Sequence, residues 1–253
     1  MSSIGTGYDL SASTYSPDGR VFQVQYATKA VENSGTSIGL KCTDGVVLGC
    51  EKIVLSKMLE PSSNRRVNII DKHVGLAASG LMADTSRLLD KARKEAKQWR
   101  NFYGYDVPVR VLMDRLAGFV QMHTIYAVVR PFGCSGIMGG IDETGPQLYK
   151  VEPSGVSWGY LGCAAGKGKQ AAKTEIEKLD LANLTCAQAV VEIAKIIYKV
   201  HDELKDKEFV LEMGWACKES GNKFASVPQD TLDEAIKIAV ADLESDSDDD
   251  MDE

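Results

Sequence analysis

Apolar residues form short runs separated by turn residues, and these runs predict β-strands. The first two runs are joined by Thr43-Asp44-Gly45, a sequence typical of a hairpin turn. A second pair follows closely, and a later group lies in the second half of the chain. The predicted strands are residues 36–42, 45–51, 67–71, 73–79, 134–141, 147–151, 155–159 and 209–215.

Between and after these runs, apolar residues recur every three or four positions, which predicts helices with one buried face. Thr185 and Gln188 form a capping-box sequence that predicts a helix start. Thr231 is followed in the same spacing by Glu234 and predicts another. The predicted helices are residues 21–33, 83–101, 109–129, 169–179, 186–204 and a last one after Thr231.

The order of these elements favours an α+β fold. Strands, two helices, more strands and then two helices are typical of sheets packed face to face with helices outside. Strict strand–helix alternation is missing, which disfavours a doubly wound parallel sheet. Neither an internal repeat nor a Pro/Gly/Ser-rich linker interrupts residues 1–243, so we expect one domain there.

Composition adds that the body can bury a core and carries balanced charge. Of the 253 residues, 44% are hydrophobic. The net charge of -7 comes from residues 244–253, which hold seven acids; the remaining 29 acids match 29 Lys plus Arg. A neutral body disfavours nucleic-acid binding, which needs excess positive charge. The acidic segment is predicted to be a disordered, solvated tail.

Cysteine usage and hydropathy bear on the compartment. Six cysteines are scattered without a Cys-x-x-Cys pair, the first ten residues do not form a secretory segment, and no apolar stretch approaches about 18 residues. These features favour a reducing compartment, cytosol or nucleus, and no membrane association.

Several familiar site sequences are incomplete in this chain. Residues 162–169, GCAAGKGK, lack the Ser or Thr of a phosphate-binding loop and are better explained as a tight strand-to-helix connection. His73, His123 and His201 have no spacing that places two on one helix face, so we predict no metal site and no cofactor. No Gly-x-Ser-x-Gly sequence marks a nucleophile, although arrangements of distant Ser, His, Asp or Cys residues stay open.

The N-terminal sequence reads GYD at residues 7–9, YSPDGR at 15–20 and QVQYA at 23–27. Together these segments resemble the signature of proteasome alpha subunits. The resemblance extends over about residues 3–243; further matches lie at residues 44–48, 79–84, 130–133, 145–149 and 153–155. Two departures are Leu10-Ser11, where most members have Arg, and Gln25, where Glu is usual. The YDLS variant at residues 8–11, together with KDK at residues 205–207 and the acidic serine-containing tail, is most similar to one particular alpha type.

This resemblance implies a four-layer αββα sandwich of two antiparallel sheets flanked by helices, the fold of N-terminal nucleophile hydrolases. It implies a non-catalytic structural subunit in the outer seven-membered ring of the 20S core, acting in ubiquitin-dependent protein degradation. The implied partners are other alpha subunits, beta subunits that hold the peptidase sites, and regulatory particles on the outer face.

The resemblance also assigns roles to individual residues. Tyr8, Asp9, Pro17 and Tyr26 match positions that cluster when the pore gate opens; the alternative is a polar arm without a specific role. Arg66 falls near the position where a basic residue pairs with an activator's C-terminal carboxylate; the alternative is a solvated loop arginine.

Gly35-Thr36 imitates the bond whose cleavage frees the catalytic threonine of beta subunits. Where those subunits carry aspartate and lysine, this chain has Lys52 and Asn68. If the comparison starts one residue earlier, Glu51 supplies the acid. In that register, however, Gly35 replaces the nucleophile and Val67 replaces the lysine. We therefore expect no catalytic residues. An active hydrolase using Thr36 and an RNA-associated protein of similar fold remain the alternatives, the second disfavoured by the neutral body.

The acidic tail contains two serines with an acid three residues downstream. Ser245 and Ser247 thereby match the substrate pattern of an acidophilic kinase of the casein kinase 2 type. We predict phosphorylation at both, with an effect exerted through a basic partner or activator affinity.

Overall fold

The computed structural model describes residues 7–60, 63–201 and 208–249, with side chains described through Glu244. Within these residues the helices are α1 Phe22–Glu32, α2 Met82–Tyr103, α3 Val109–Ile125, α4 Lys169–Glu177, α5 Cys186–Val200 and α6 Gln229–Asp249. The strands are β1 Ser37–Lys41, β2 Gly45–Ile53, β3 Val67–Asp71, β4 Val74–Gly80, β5 Cys134–Asp142, β6 Gly145–Val151, β7 Ser157–Gly159, β8 Gly162–Ala165, β9 Phe209–Cys217 and β10 Phe224–Ser226.

The strands form two five-stranded sheets in which every pairing is antiparallel. The first sheet has the order β10-β9-β2-β1-β8, and the second β3-β4-β5-β6-β7. The predicted hairpin is confirmed, with Ser37 opposite Cys50 and the Cys42 amide donating to the Gly45 carbonyl at 2.8 Å.

Four layers result, because each sheet buries one face against the other sheet and one against helices. Helices α4, α5 and α6 cover the first sheet, and α2 and α3 cover the second. A central core joins the sheets and includes Val46, Leu48, Ile137 and Leu148, each at most 1% exposed. The αββα sandwich predicted from the resemblance is confirmed.

Strands β8 and β10 were not predicted as strands. They hold four and three residues, too few to show an alternating pattern. The predicted connection at residues 162–169 is β8, a turn at Gly166 with φ +98°, and the start of α4, so its glycines serve the backbone. Among the described helices, none is both long and apolar enough to cross a membrane.

Two helix ends differ from the prediction. At one of them the backbone becomes extended, and at the other the residue predicted as the N-cap lies inside the helix. Helix α3 stops at Ile125, four residues early, because Tyr126 adopts φ -100° and ψ 130°. The capping box of Thr185 is confirmed at the start of α5. Thr231 instead lies inside α6, which starts after Pro228, whose carbonyl accepts from the Leu232 amide at 3.0 Å.

The last helix also crosses the predicted boundary between domain and tail. We expected disorder from Glu244, but the backbone of α6 is helical through Asp249. Helix extension adds one hydrogen bond for each residue fixed and avoids the cost of nucleation, so a helix packed on α5 can continue into a polar segment.

We expect the packing between the two sheets to resist a larger side chain at Gly39. A Cβ atom at Gly39 would lie 2.7 Å from Ile137 Cγ2 and 2.9 Å from Leu148 Cδ1. Gly39→Ala should therefore lower the free energy of unfolding by about 1–3 kcal/mol through overpacking. Gly118, on the exposed side of α3 with open space around it, is the matched control. Gly118→Ala should raise stability by about 0.5–1 kcal/mol. Urea unfolding followed by tryptophan fluorescence distinguishes these results; equal midpoints would contradict the tight contact.

Candidate functional site

The segment before α1 is held to that helix by Asp9. The hydroxyl of Tyr26 donates to Asp9 Oδ2 at 3.2 Å, and the side-chain amide of Gln23 donates to the Asp9 carbonyl. Desolvation and the Asp9 carboxylate together raise the pKa of Tyr26, so its phenol keeps its proton and acts as the donor. Two of the four predicted gate residues are thus in contact.

Pro17 lies in a reverse turn, as its sequence predicts. The Gly19 amide donates to the Ser16 carbonyl at 2.9 Å, and the Ser16 amide donates to the Arg20 carbonyl at 2.9 Å. Gly19 has φ +74°, which a glycine adopts without strain. Pro17 and Tyr8 are both exposed, and within residues 7–60 neither hydrogen-bonds to Asp9 or Tyr26.

Thr36, which follows the bond that resembles a cleavage site, is buried immediately before β1. It is 2% exposed. Its nitrogen belongs to a peptide bond and donates to Glu51 Oε2 at 2.8 Å, while its Oγ1 accepts from the Gly168 amide at 3.1 Å. Within the described residues, the threonine is thus enclosed by protein and its nitrogen is not a free amine.

Glu51, the acid of the alternative register, is engaged on both oxygens. Its second oxygen, Oε1, lies 2.7 Å from Nδ1 of His201, and both side chains are about nine-tenths buried. Lys52 lies 3.8 Å from the Glu212 carboxylate. The His201 contact was missed because a residue 150 positions away gives no local signal.

Arg66 is held by its own fold. Its guanidinium donates to the Gly80 carbonyl at 2.9 Å, and its amide donates to Glu212 Oε2 at 2.5 Å. A neighbouring pocket of about 510 Å³ is lined by Lys52 and Arg65 among others, and Arg66 is not in its wall. Arg65 is exposed and was not singled out from the sequence.

Two residues from separate matched segments meet in a bidentate ion pair. Arg130 donates to both oxygens of Asp84, at 2.7 and 2.8 Å, and the Gly133 amide donates to the same carboxylate at 2.7 Å. Burial by itself raises the pKa of Asp84, but the hydrogen bonds from Arg130 and Gly133 outweigh it and hold that pKa below its ordinary value. This pair fastens the start of α2 to the segment entering β5. The tail serines Ser245 and Ser247 lie beyond the described side chains.

Comparisons with known proteins assign the chain to a family, and the four-layer architecture is consistent with that assignment. The sequence pattern that describes proteasome subunits in general matches residues 31–216. A second pattern, described as the N-terminal signature of A-type proteasome subunits, matches residues 8–30, which include the Asp9–Tyr26 contact. The chain belongs to the proteasome alpha-subunit family, and assembly with other proteasome subunits follows from that membership.

Individual relatives show which types of alpha subunit the chain is similar to. The chain is similar to the alpha type-3 proteasome subunit of Acanthamoeba castellanii, 58% identical over 246 residues that cover 97% of this chain and 98% of the relative. The protein of the same description from Spinacia oleracea is 57% identical over 244 residues, covering 96% and 98%. The probable alpha type-7 proteasome subunit of Saccharomyces cerevisiae is 48% identical over 252 residues, covering 98% and 88%. Type 3 is the alpha type that the sequence at residues 8–11, residues 205–207 and the acidic tail favours.

The Asp84–Arg130 pair should make stability depend on pH. Because the folded pKa of Asp84 is lowered, its stabilisation is present above the unfolded pKa of about 3.9 and is lost as pH falls through the folded pKa. Asp84→Asn should lower the free energy of unfolding at pH 7 by about 1–3 kcal/mol, and the difference from wild type should shrink below about pH 4. The control is Asp114→Asn, which removes an exposed carboxylate 4.0 Å from Arg110 and should change stability by less than about 0.5 kcal/mol. Urea unfolding over a pH series measures both; a penalty for Asp84→Asn that stays constant with pH would contradict the assignment.

Proposed function

We propose that the chain is a non-catalytic subunit of the outer seven-membered ring of the 20S core, which contributes to pore gating and activator docking in ubiquitin-dependent protein degradation. The observation that carries the proposal is the buried Thr36. A threonine peptidase of this fold needs a free N-terminal amine and an open hydroxyl. Here the amide is tied to Glu51 and the hydroxyl is buried.

The rival function is an active hydrolase that uses Thr36, and it differs in two measurable ways. Thr36→Ala incorporated into an assembled core particle should leave peptide hydrolysis unchanged, because catalysis is assigned to the beta subunits. N-terminal sequencing should find no chain beginning at Thr36. Loss of one class of peptidase activity, or a mature chain starting at Thr36, would favour the rival.

For the gate, we propose that the segment up to Asp9 closes the pore and that the Asp9–Tyr26 hydrogen bond orders it. In an assembled particle, deletion of residues 1–9 should raise peptide hydrolysis several-fold. Tyr26→Phe removes only the hydroxyl that reaches Asp9 and should change the rate in the absence of activator. Tyr15→Phe, a tyrosine 71% exposed in the same segment, is the matched control and should have no effect. Unchanged hydrolysis in the deletion variant would reject the gate role.

For activator docking, we propose that Arg66 and the adjacent Arg65 supply the positive charge that receives a C-terminal carboxylate. Arg65 lines the pocket, whereas Arg66 would have to release the Gly80 carbonyl to reach it. Arg65→Ala and Arg66→Ala should each weaken binding of an activator's C-terminal peptide by about tenfold, as the loss of one charge-assisted hydrogen bond predicts. Arg87→Ala, an exposed arginine on α2, is the control. Undiminished affinity in both docking variants would remove this assignment.

Two further features belong to the same proposal. Phosphorylation of Ser245 and Ser247 is proposed from their acidic context, and phosphopeptide mapping that finds both unmodified would end it. A cytoplasmic and nuclear location is proposed because the six cysteines are free and buried, as expected in a reducing compartment. Fractionation of cells that express the full chain tests it.

A further inference from the structure

Three metal-ligating side chains meet outside the regions that the proposed function uses. Asp71 ends β3, His73 lies immediately before β4, and Asp106 lies between α2 and α3. One ligand atom from each residue lies within 4.8 Å of the other two. The cluster forms part of the wall of an open cavity of about 630 Å³ that His73 and Asp106 both line. Solvent and small ions can therefore reach Asp106, the exposed member of the cluster.

The tautomer of His73 is fixed by its backbone contact. Nε2 lies 2.8 Å from the carbonyl oxygen of Val107, which can only accept a hydrogen bond, so Nε2 carries the proton. Nδ1 of the neutral ring is then a bare lone pair. The residue is 7% exposed, and Nδ1 has no hydrogen-bond partner within the described residues.

That lone pair faces a second acceptor, which is an unfavourable pairing unless a proton or a metal ion lies between them. Nδ1 lies 4.0 Å from Oδ2 of Asp106, itself a carboxylate oxygen. A buried acceptor without a donor is destabilising. Imidazole nitrogens that bind metals usually donate their other N–H to a backbone carbonyl, as Nε2 does to Val107.

Arg100 bonds one oxygen of each of the two carboxylates. It donates to Asp71 Oδ2 at 2.5 Å and to Asp106 Oδ1 at 2.7 Å. Asp71 Oδ1 accepts from the Lys72 amide at 2.7 Å and keeps a second lone pair. Arg100 does not bond Oδ2 of Asp106 or Oδ1 of Asp71, so these two oxygens keep lone pairs for a cation beside His73.

We propose that His73, Asp106 and Asp71 form a binding site for a divalent cation of the zinc class. One imidazole nitrogen and two carboxylate oxygens are a donor set that Zn²⁺ accepts, with water as the fourth ligand. Ligand atoms at about 2.0–2.2 Å from one tetrahedral ion lie about 3.5 Å apart. The cluster must contract slightly, which the half-exposed Asp106 side chain can provide. The two carboxylates exceed the Arg100 charge by one, so the site attracts a cation.

Bound metal would join two separate parts of the chain that lie beside the second sheet. Asp71 and His73 belong to the β3–β4 connection, and Asp106 belongs to the loop that joins α2 to α3. The consequence is local stabilisation of that loop against the sheet edge, and it does not depend on the proposed gating or docking.

Calorimetric titration of the full chain with Zn²⁺ tests the site. Wild type should bind one equivalent, and His73→Gln and Asp106→Asn should each weaken binding by at least about tenfold. Gln can keep a donor toward Val107 but lacks the imidazole ligand. Glu143→Gln is the matched control, since Glu143 is exposed and lines the same cavity without belonging to the cluster; its affinity should stay within about twofold of wild type.

Two measurements on the unmodified chain keep the test independent of variant folding. Co²⁺ bound in place of Zn²⁺ should show ligand-field bands without a thiolate charge-transfer band, because all six cysteines are buried elsewhere. In an NMR titration the His73 imidazole signals should shift on addition of Zn²⁺. Absence of stoichiometric binding, a thiolate band, undiminished affinity in His73→Gln, or a His73 that responds to pH but not to Zn²⁺ would overturn the proposal.

Discussion

The carboxylate of Glu51 is the interaction around which the interior at the start of β1 is arranged. A buried carboxylate is costly unless its oxygens are hydrogen-bonded. Glu51 on β2 meets this requirement with the Thr36 amide and with His201 just after α5. Beside it, Ser37 and Ser79 contact each other across the two sheets at 2.6 Å, and Ser79 donates to the Gly35 carbonyl. The site that would be reactive in a hydrolase is thus filled by mutually satisfied polar groups.

Local patterns were enough to predict most of the strands, the first hairpin and the cap at Thr185. They failed where an element is too short to show a period, as in β8 and β10, and where termination depends on backbone geometry, as at Tyr126. The capping sequence at Thr231 shows the limit of a spacing rule. The helix already begins at Gln229, just after Pro228, so the threonine lies inside it.

Some residues of the candidate sites could be predicted from local sequence, and others could not. Tyr26 and Asp9 were found because they belong to one continuous signature, and the structure places them in contact. The resemblance points to Arg66 and gives no signal for Arg65. The structure separates the two side chains, because Arg65 lines the pocket and Arg66 does not. The spacing of the three histidines predicts no metal site, because no two of them share a helix face. His73 meets its carboxylates through a hairpin turn and an interhelical loop, a convergence that no linear spacing records.

Under the proposed function, strand β4 connects the docking surface to the gate. Arg66 bonds to the carbonyl of Gly80 at the end of β4, and α1 packs against β4 and β5. A carboxylate that drew the Arg66 guanidinium away would leave the Gly80 carbonyl without that donor. Gly80 has φ +119° and lies against the Gly133 carbonyl, so little space is available for independent relaxation. The neighbouring Leu81 amide bonds to Gly133, which Asp84 also holds. A change at Arg66 would therefore act on the strand end that supports α1, and through α1 on Tyr26 and Asp9.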